Sequence, residues 1–281
     1  MDDVATSENG DMDLQVGEFR INGFTVFENA IPVDLVDEIR EAFDPLLTAV
    51  RNRNSNELSG DLYMGRGRLG YPNRYTVEVP WAHPFSSPAI YEHPTLLAFM
   101  DQYWSASDYQ FTGYTSNNPY PDSGYQRWHR DMRLTTPHIG LQTCDTVSAK
   151  IPLVDTSEEN GSFEILPGTQ YLADPSMQMR YQEIIEAGDF QSKRLNLKRG
   201  SIWMQDPRPI HRGTPNRSDH PRPELCLVYT RPWYGSGHHI EMTQNDFDGL
   251  SKRGQELLQV SRIIDGPQQT RREMEGERAN Q

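Results

Sequence analysis

The segment Gln126-Arg127-Trp128-His129-Arg130-Asp131 places an imidazole and a carboxylate two residues apart, and His211 follows far downstream in Pro209-Ile210-His211-Arg212-Gly213. Two histidines and one carboxylate can hold one face of an iron(II) ion and leave its other positions open to reacting ligands. Arg222 stands eleven residues after His211. A guanidinium offers two parallel hydrogen bonds to a carboxylate and stays charged when desolvated, so Arg222 is a candidate grip for an acidic cosubstrate. About 0.6 His-x-Asp pairs are expected from composition alone, so this pair carries weight only through its distant partners.

Spacing alone leaves other assignments open. His220 has Arg231 at the same interval of eleven, but Ser218-Asp219-His220-Pro221 reads as a turn, and Arg231 would lie at the far end of its strand. His239-x-Glu241 is another ligand pair, with no histidine after it to complete a set. His83, His93 and His138 each adjoin a proline and read as loop or capping residues. The competing readings of the chosen set are an exposed loop histidine for His211 and a surface charge in a Pro-flanked turn for Arg222.

These side chains need a frame that brings remote positions together. Residues two apart on a strand share a face, so His129 and Asp131 are expected at one strand end. From Tyr109 onward the apolar period is two: Tyr109 to Ser116, Thr146 to Val154, Ser162 to Leu166, Ser201 to Gln205 and Glu224 to Arg231 read as strands separated by Pro, Gly and Asn turns. Upstream the period is helical. Val33, Val36, Ile39, Phe43, Leu46 and Leu47 predict a helix over Ile31 to Val50, and Pro94 opens a second that runs to about Ser105. A mostly-β fold follows, with helices flanking a double-sheet barrel of jelly-roll type. Residues 1–16 are expected as a disordered lead, 17–265 as one domain and 266–281 as a polar tail. The Gly- and Arg-rich stretch 51–75 reads as a flexible lid loop, and a last helix is expected from about Asn245 to Ile264.

Composition excludes several classes. A formal charge of −13 over 281 residues argues against nucleic-acid or anionic-membrane partners, which require a basic surface. Cys144 and Cys226 are far apart and read as two reduced thiols. The acidic start lacks a secretory pattern, no apolar run reaches membrane-span length, and the end is not a peroxisomal address, so the cytoplasm is the expected compartment.

Four pieces carry a resemblance: His129-x-Asp131; Asn160-Gly161-Ser162-Phe163-Glu164-Ile165-Leu166-Pro167-Gly168-Thr169-Gln170; Gly200-Ser201-Ile202-Trp203-Met204; and His211-Arg212-Gly213-Thr214-Pro215-Asn216-Arg217-Ser218. In order and spacing, over roughly residues 20–235, they resemble the phytanoyl-CoA dioxygenase family of Fe(II)/2-oxoglutarate-dependent oxygenases. The resemblance implies a cupin-like double-stranded β-helix that uses iron(II), 2-oxoglutarate and dioxygen. It implies His129, Asp131 and His211 as iron ligands and Arg222 as the partner of the far carboxylate of 2-oxoglutarate. Members often place a Ser or Thr just after the second histidine. Gly213 stands there in this chain, so Thr214 is the candidate helper, with Gln126 a further cosubstrate contact. The carboxylate of Asp131 implies hydroxylation or another C–H oxidation rather than halogenation.

The expected substrate is a small, partly apolar organic molecule, such as a natural-product intermediate. Tyr125, Trp128, Trp203, Tyr229 and Trp233 are candidate walls, and Tyr114, Asn117 and Arg133 candidate polar contacts. An acyl-CoA substrate would need a basic groove, for which Arg51, Arg53, Arg66, Arg68 and Arg74 are available, although they read more simply as a solvated loop. A catalytically silent small-molecule-binding relative and a zinc hydrolase are the competing classes. The absence of an HExxH helix and the presence of Arg222 count against the hydrolase.

Overall fold

The computed structural model describes residues 5–56, 66–68, 71–132, 143–172, 181–188, 190–235 and 239–265. In chain order its elements begin with α1 (Ala5–Asn22), β1 (Phe24–Phe27), α2 (Val33–Asn56), β2 (Arg66–Arg68), β3 (Tyr71–Thr76), α3 (Pro88–Tyr91) and α4 (Pro94–Trp104). There follow β4 (Gln110–Pro119), β5 (Thr146–Pro152), β6 (Phe163–Ile165), α5 (Tyr181–Glu186), β7 (Lys193–Leu195), β8 (Ile202–Gln205) and β9 (His211–Arg212). The chain closes with β10 (Glu224–Thr230), β11 (Glu241–Met242), α6 (Gln244–Asp248), α7 (Lys252–Leu257) and β12 (Arg262–Ile263).

Seven strands make the larger sheet, in the order β1-β8-β5-β10-β4-β3-β2, and three make the smaller, β7-β6-β9. Pairing is antiparallel throughout both. Single bridges, His129 to His211 and Ser123 to Asn216, tie the segment after β4 to the smaller sheet. The arrangement is the double-stranded β-helix expected from the strand pattern.

Strand alternation divides the larger sheet into two faces. Val147, Ala149 and Ile151 of β5 and Leu225, Leu227 and Tyr229 of β10 join one apolar cluster with Val36, Ile39, Phe43 and Leu47 of α2 and Leu96, Phe99 and Met100 of α4. Each such buried side chain contributes about 1.5–3 kcal/mol. A one-residue slip would turn all of them outward, so the register is strongly fixed. The intervening residues, Thr146, Ser148 and Lys150 with Glu224, Cys226 and Val228, face the space between the sheets. That inner face is polar, and it carries the site.

Several expectations need correction. Residues from Ala5 are helical rather than a disordered lead, and Val16 and Phe19 of α1 are buried in the main core. The stretch 51–75 is no single loop: α2 runs through Asn56, and β2 and β3 form a hairpin that joins the sheet edge beside β4. The remainder of that stretch, and the tail from Gly266, lie outside the described residues. The last helix is broken in two because Thr243 and Ser251 each cap a new start, their hydroxyls accepting the backbone N–H of Asp246 and Gly254. Residues 262–263 then turn to strand. Among the described residues no helix is long and apolar enough to cross a membrane.

Gly200 stitches the entry of β8 to the start of α2. Its φ is +80°, its carbonyl accepts the Ile31 N–H at 2.8 Å, and a Cβ there would lie 2.6 Å from the Ile31 oxygen. Gly200→Ala adds left-handed backbone strain to a backbone clash, and is expected to cost more than about 2 kcal/mol of stability. Unfolding in urea at the wild-type midpoint would contradict this.

Candidate active site

His211 lies on β9, and His129 is held against it by a reciprocal backbone pair, N–H to carbonyl at 3.0 and 2.9 Å. Asp131 is brought in by its own N–H, which donates to the Pro207 carbonyl at 3.0 Å. The His-x-Asp pair therefore sits on an irregular segment with one bridge, not on a regular strand as alternation had predicted. The outcome for the side chains is nevertheless convergence. Asp131 lies 3.6 Å from His129 Nε2 and 3.3 Å from His211 Nε2, and one ligand atom from each of the three residues falls within 4.8 Å of the others.

Backbone oxygens orient both rings. His129 Nδ1 faces the Arg127 carbonyl at 2.8 Å, and His211 Nδ1 faces the Pro209 carbonyl at 2.9 Å. A carbonyl only accepts, so each Nδ1 carries a proton and each Nε2 is the ring atom turned to the shared centre, the one a metal would take. Burial alone would raise the Asp131 carboxyl; His211, with Lys150 and His129 behind it, outweighs this and holds it well below the usual carboxylate range. His211 is 2% exposed, which removes the loop-histidine reading.

The three residues open into a cavity of about 380 Å³, also lined by Arg222, Lys150, Glu224, Gln126, Arg74, Asn117 and Phe163. Arg222, just before β10, is 3% exposed, and its Nε and one Nη have no hydrogen-bond partner. Burial pulls its pKa down, opposed by Glu224, whose carboxylate is 3.6 Å away. Glu224 is itself fixed by the Trp203 indole N–H at 2.9 Å. Buried polar groups are normally satisfied. A buried guanidinium with two unfilled donors, lining the cavity of a His/Asp/His cluster, therefore fits a chelating keto acid with a second carboxylate.

The other predicted residues divide by where the structure places them. Gln126 lines the cavity, and its Oε1 accepts the Gly213 N–H at 2.8 Å. Thr214 is fully buried away from the cavity, donating to the Ser162 carbonyl and accepting from Arg194. A side chain at residue 213 would have to displace two others: a Cβ on Gly213 would lie 2.5 Å from Arg74 Nη1 and 2.6 Å from Gln126 Oε1. Asn117 lines the cavity, whereas Tyr114 faces the helices and donates to the Phe85 carbonyl. Three residues apart on one strand, these two take opposite faces.

The aromatic wall is mostly core. Trp128 packs on Leu166 and Ile210, with Arg212 between its ring and that of Tyr125. Tyr229 is in the main core, and Trp233 is 64% exposed beneath Arg231. Trp203 reaches the site only through Glu224 and Lys150. Arg133 and His138 lie outside the described residues.

The rival histidines do not assemble. His220 is exposed beside Asp219, Arg231 pairs with Asp108, and Glu241 pairs with Arg262. His239 faces the Val260 carbonyl, His83 binds Glu38, and His93 faces the Ala30 carbonyl.

The charged cavity residues outside the predicted set are Arg74, Glu78, Lys150 and Glu224. Arg74, read from sequence as a solvated loop arginine, is 6% exposed and donates to the Gly124 and Thr214 carbonyls. For Lys150 and Glu224 the available signal was alternation, since charged residues recur at the inward positions of two buried strands.

A sequence model of the phytanoyl-CoA dioxygenase family (PhyH) matches residues 19–223. Among solved structures, the chain is similar to AviO1 from Streptomyces viridochromogenes Tue57, with a TM-score of 0.60 and 19% identity over 80% of this chain and 96% of that one. It is similar also to HygX from Streptomyces hygroscopicus, solved with nickel and 2-oxoglutarate bound, with a TM-score of 0.56 and 16% identity over 92% and 98%. A third is SnoN, a non-heme α-ketoglutarate-dependent epimerase from nogalamycin biosynthesis, at 0.57 and 18% over 79% and 82%. At these identities the structures speak to the fold. The family match covers most of the chain and includes the whole His/Asp/His set with Arg222, so the protein belongs to the phytanoyl-CoA dioxygenase family of Fe(II)/2-oxoglutarate-dependent oxygenases.

Proposed function

We propose that this enzyme oxidises a C–H bond of a small organic molecule, a natural-product intermediate, while converting 2-oxoglutarate and dioxygen to succinate and carbon dioxide. For hydroxylation the balance is R–H + O2 + 2-oxoglutarate giving R–OH + CO2 + succinate. The observation that carries this reading is the convergence of three ligand atoms within 4.8 Å in a cavity that also holds the orphaned donors of Arg222. His129, Asp131 and His211 would hold iron(II), which when bound supplies activation of dioxygen. The protein supplies position. The carbonyls of Arg127 and Pro209 hold each Nδ1 and so turn each Nε2 toward the metal position, Asp131 stays ionised, and Arg222 receives the far carboxylate of the keto acid.

The cavity wall supports a substrate that hydrogen-bonds on one side. Thr76, Thr115, Asn117, Thr146 and Ser148 offer polar groups, while Met132, Val228 and Phe163 offer apolar surface. Polar ligand pockets orient their guests through a few such groups. Relatives of similar fold include enzymes described as belonging to nogalamycin biosynthesis, which agrees with a tailoring role. An acyl-CoA substrate draws less support: Arg74 is buried and donates to backbone carbonyls, so it does not contribute to an open phosphate patch. Two buried free thiols suit the cytoplasm.

With iron(II), 2-oxoglutarate and air, the protein is expected to release succinate slowly on its own and faster with its substrate. A screen of small hydroxylated natural-product precursors for stimulated succinate release tests this. A binding-only protein would release none, and a hydrolase would keep its activity under strict anaerobiosis.

A further inference from the structure

Lys150 lies at the centre of β5, 3% exposed, on the inner face of the larger sheet. It faces Trp203 of β8 on one side and Cys226 of β10 on the other. Its Nζ sits 4.7 Å from the ring centroids of both Phe163 and Trp203. Among the described residues it has no hydrogen bond and no ion pair. Two aromatic faces soften the burial of an ammonium, each by about 1–2 kcal/mol when desolvated. The penalty for burying an ion is several kcal/mol, so the rings alone do not balance it.

The neighbouring carboxylates are committed. Asp131 belongs to the metal-ligand set. Glu224 receives the Trp203 indole N–H on one oxygen and turns the other toward Arg222. Trp203 thus holds Lys150 over its face and Glu224 at its edge. Arg222 and Lys150 line the same cavity. Glu224 is committed to Arg222 and Trp203 and Asp131 to the two histidines, while Arg222 keeps two unfilled donors and the Lys150 ammonium has no ion-pair partner among the described residues. A cavity built this way calls for an anion.

We infer that Lys150 is a second anchoring cation for the far carboxylate of the keto acid, acting with Arg222 to select a dicarboxylic cosubstrate. The inference rests on the iron and 2-oxoglutarate reading above. Arg222 supplies the fork; Lys150 supplies a point charge on a flexible stem, and the rings of Phe163 and Trp203 keep that stem in place.

The test is anaerobic calorimetry on protein loaded with manganese(II), which binds without turnover. Two probes are compared: 2-oxoglutarate, and 2-oxopentanoate, which has a methyl group where the second carboxylate would be. Lys150→Met is expected to weaken 2-oxoglutarate by on the order of 10- to 100-fold, the worth of one charge-assisted hydrogen bond. It should change 2-oxopentanoate by less than about threefold and still bind one manganese per chain. Lys150→Arg should recover most of the lost affinity. Unchanged 2-oxoglutarate affinity in Lys150→Met overturns the inference, and so does equal weakening of both keto acids, which would mark Lys150 as a packing residue. Wild-type protein that binds manganese but no 2-oxoglutarate overturns the parent reading instead.

Discussion

Asp131→Ala is expected to bind iron(II) more than about 100-fold more weakly than wild type and to form no oxidised product. Loss of even an outer-shell partner costs 10–100-fold in metal affinity, and Asp131 is the only carboxylate in the cluster. Its removal leaves two neutral imidazoles to hold a dication. It also takes away the carboxylate that lies 3.6 and 3.3 Å from the two Nε2 atoms. The fold should survive, because the side chain opens onto the cavity rather than into the core. Iron retained after desalting, measured per chain beside the melting temperature, separates a lost ligand from a lost fold. Wild-type iron content in the variant would mean that the carboxylate is not a ligand.

Arg222→Ala should raise the 2-oxoglutarate requirement by on the order of 30- to several-thousand-fold, the range for truncating one partner of a buried charged contact, about 2–5 kcal/mol. The rise belongs in KM, with kcat at saturation changed less, because the contact is made in ground and transition states alike. Stability is a complication: Glu224 is 2% exposed, and Arg222 is its ion-pair partner. Breaking a buried pair on one side costs about 3–5 kcal/mol. The double variant Arg222→Ala/Glu224→Gln removes the stranded charge. It should regain stability while keeping the raised KM. A single variant with wild-type KM would show that another group holds the far carboxylate.

How legible the site was depended on the kind of signal each residue leaves. His129, Asp131, His211 and Arg222 were candidates by residue type and spacing, which left His220 with Arg231 as a rival until the family resemblance favoured the first set, and the structure brings those four to one cavity. Pro94 and the apolar period located α4 to within a residue. Tyr114 was misplaced because the phase of β4 could not be read. A bulge between Val228 and Tyr229 lets both Phe111 and Tyr114, three apart, face the core. Thr214 was carried forward from a resemblance, but the room beside Gly213 is filled by Arg74 and Gln126. That contact spans the chain from β3 to the segment after β9, and no local pattern encodes it. The helix from Ala5 was missed because its sequence is polar and irregular; what orders its end is tertiary, Val16 and Phe19 packing into the core. Lys150 shows the opposite failure. Its inward position was readable from strand alternation, but a lone lysine on a strand reads first as surface.

The central claim is that His129, Asp131 and His211 form one metal site whose occupancy creates the keto-acid site beside Arg222. Anaerobic titration of 2-oxoglutarate into metal-free and iron(II)-loaded protein tests this most directly. The account predicts one iron per chain, tight 2-oxoglutarate binding only after iron is added, and loss of both in a His129→Ala/His211→Ala protein. Equal 2-oxoglutarate affinity with and without iron, or unchanged iron binding in the double variant, would contradict it.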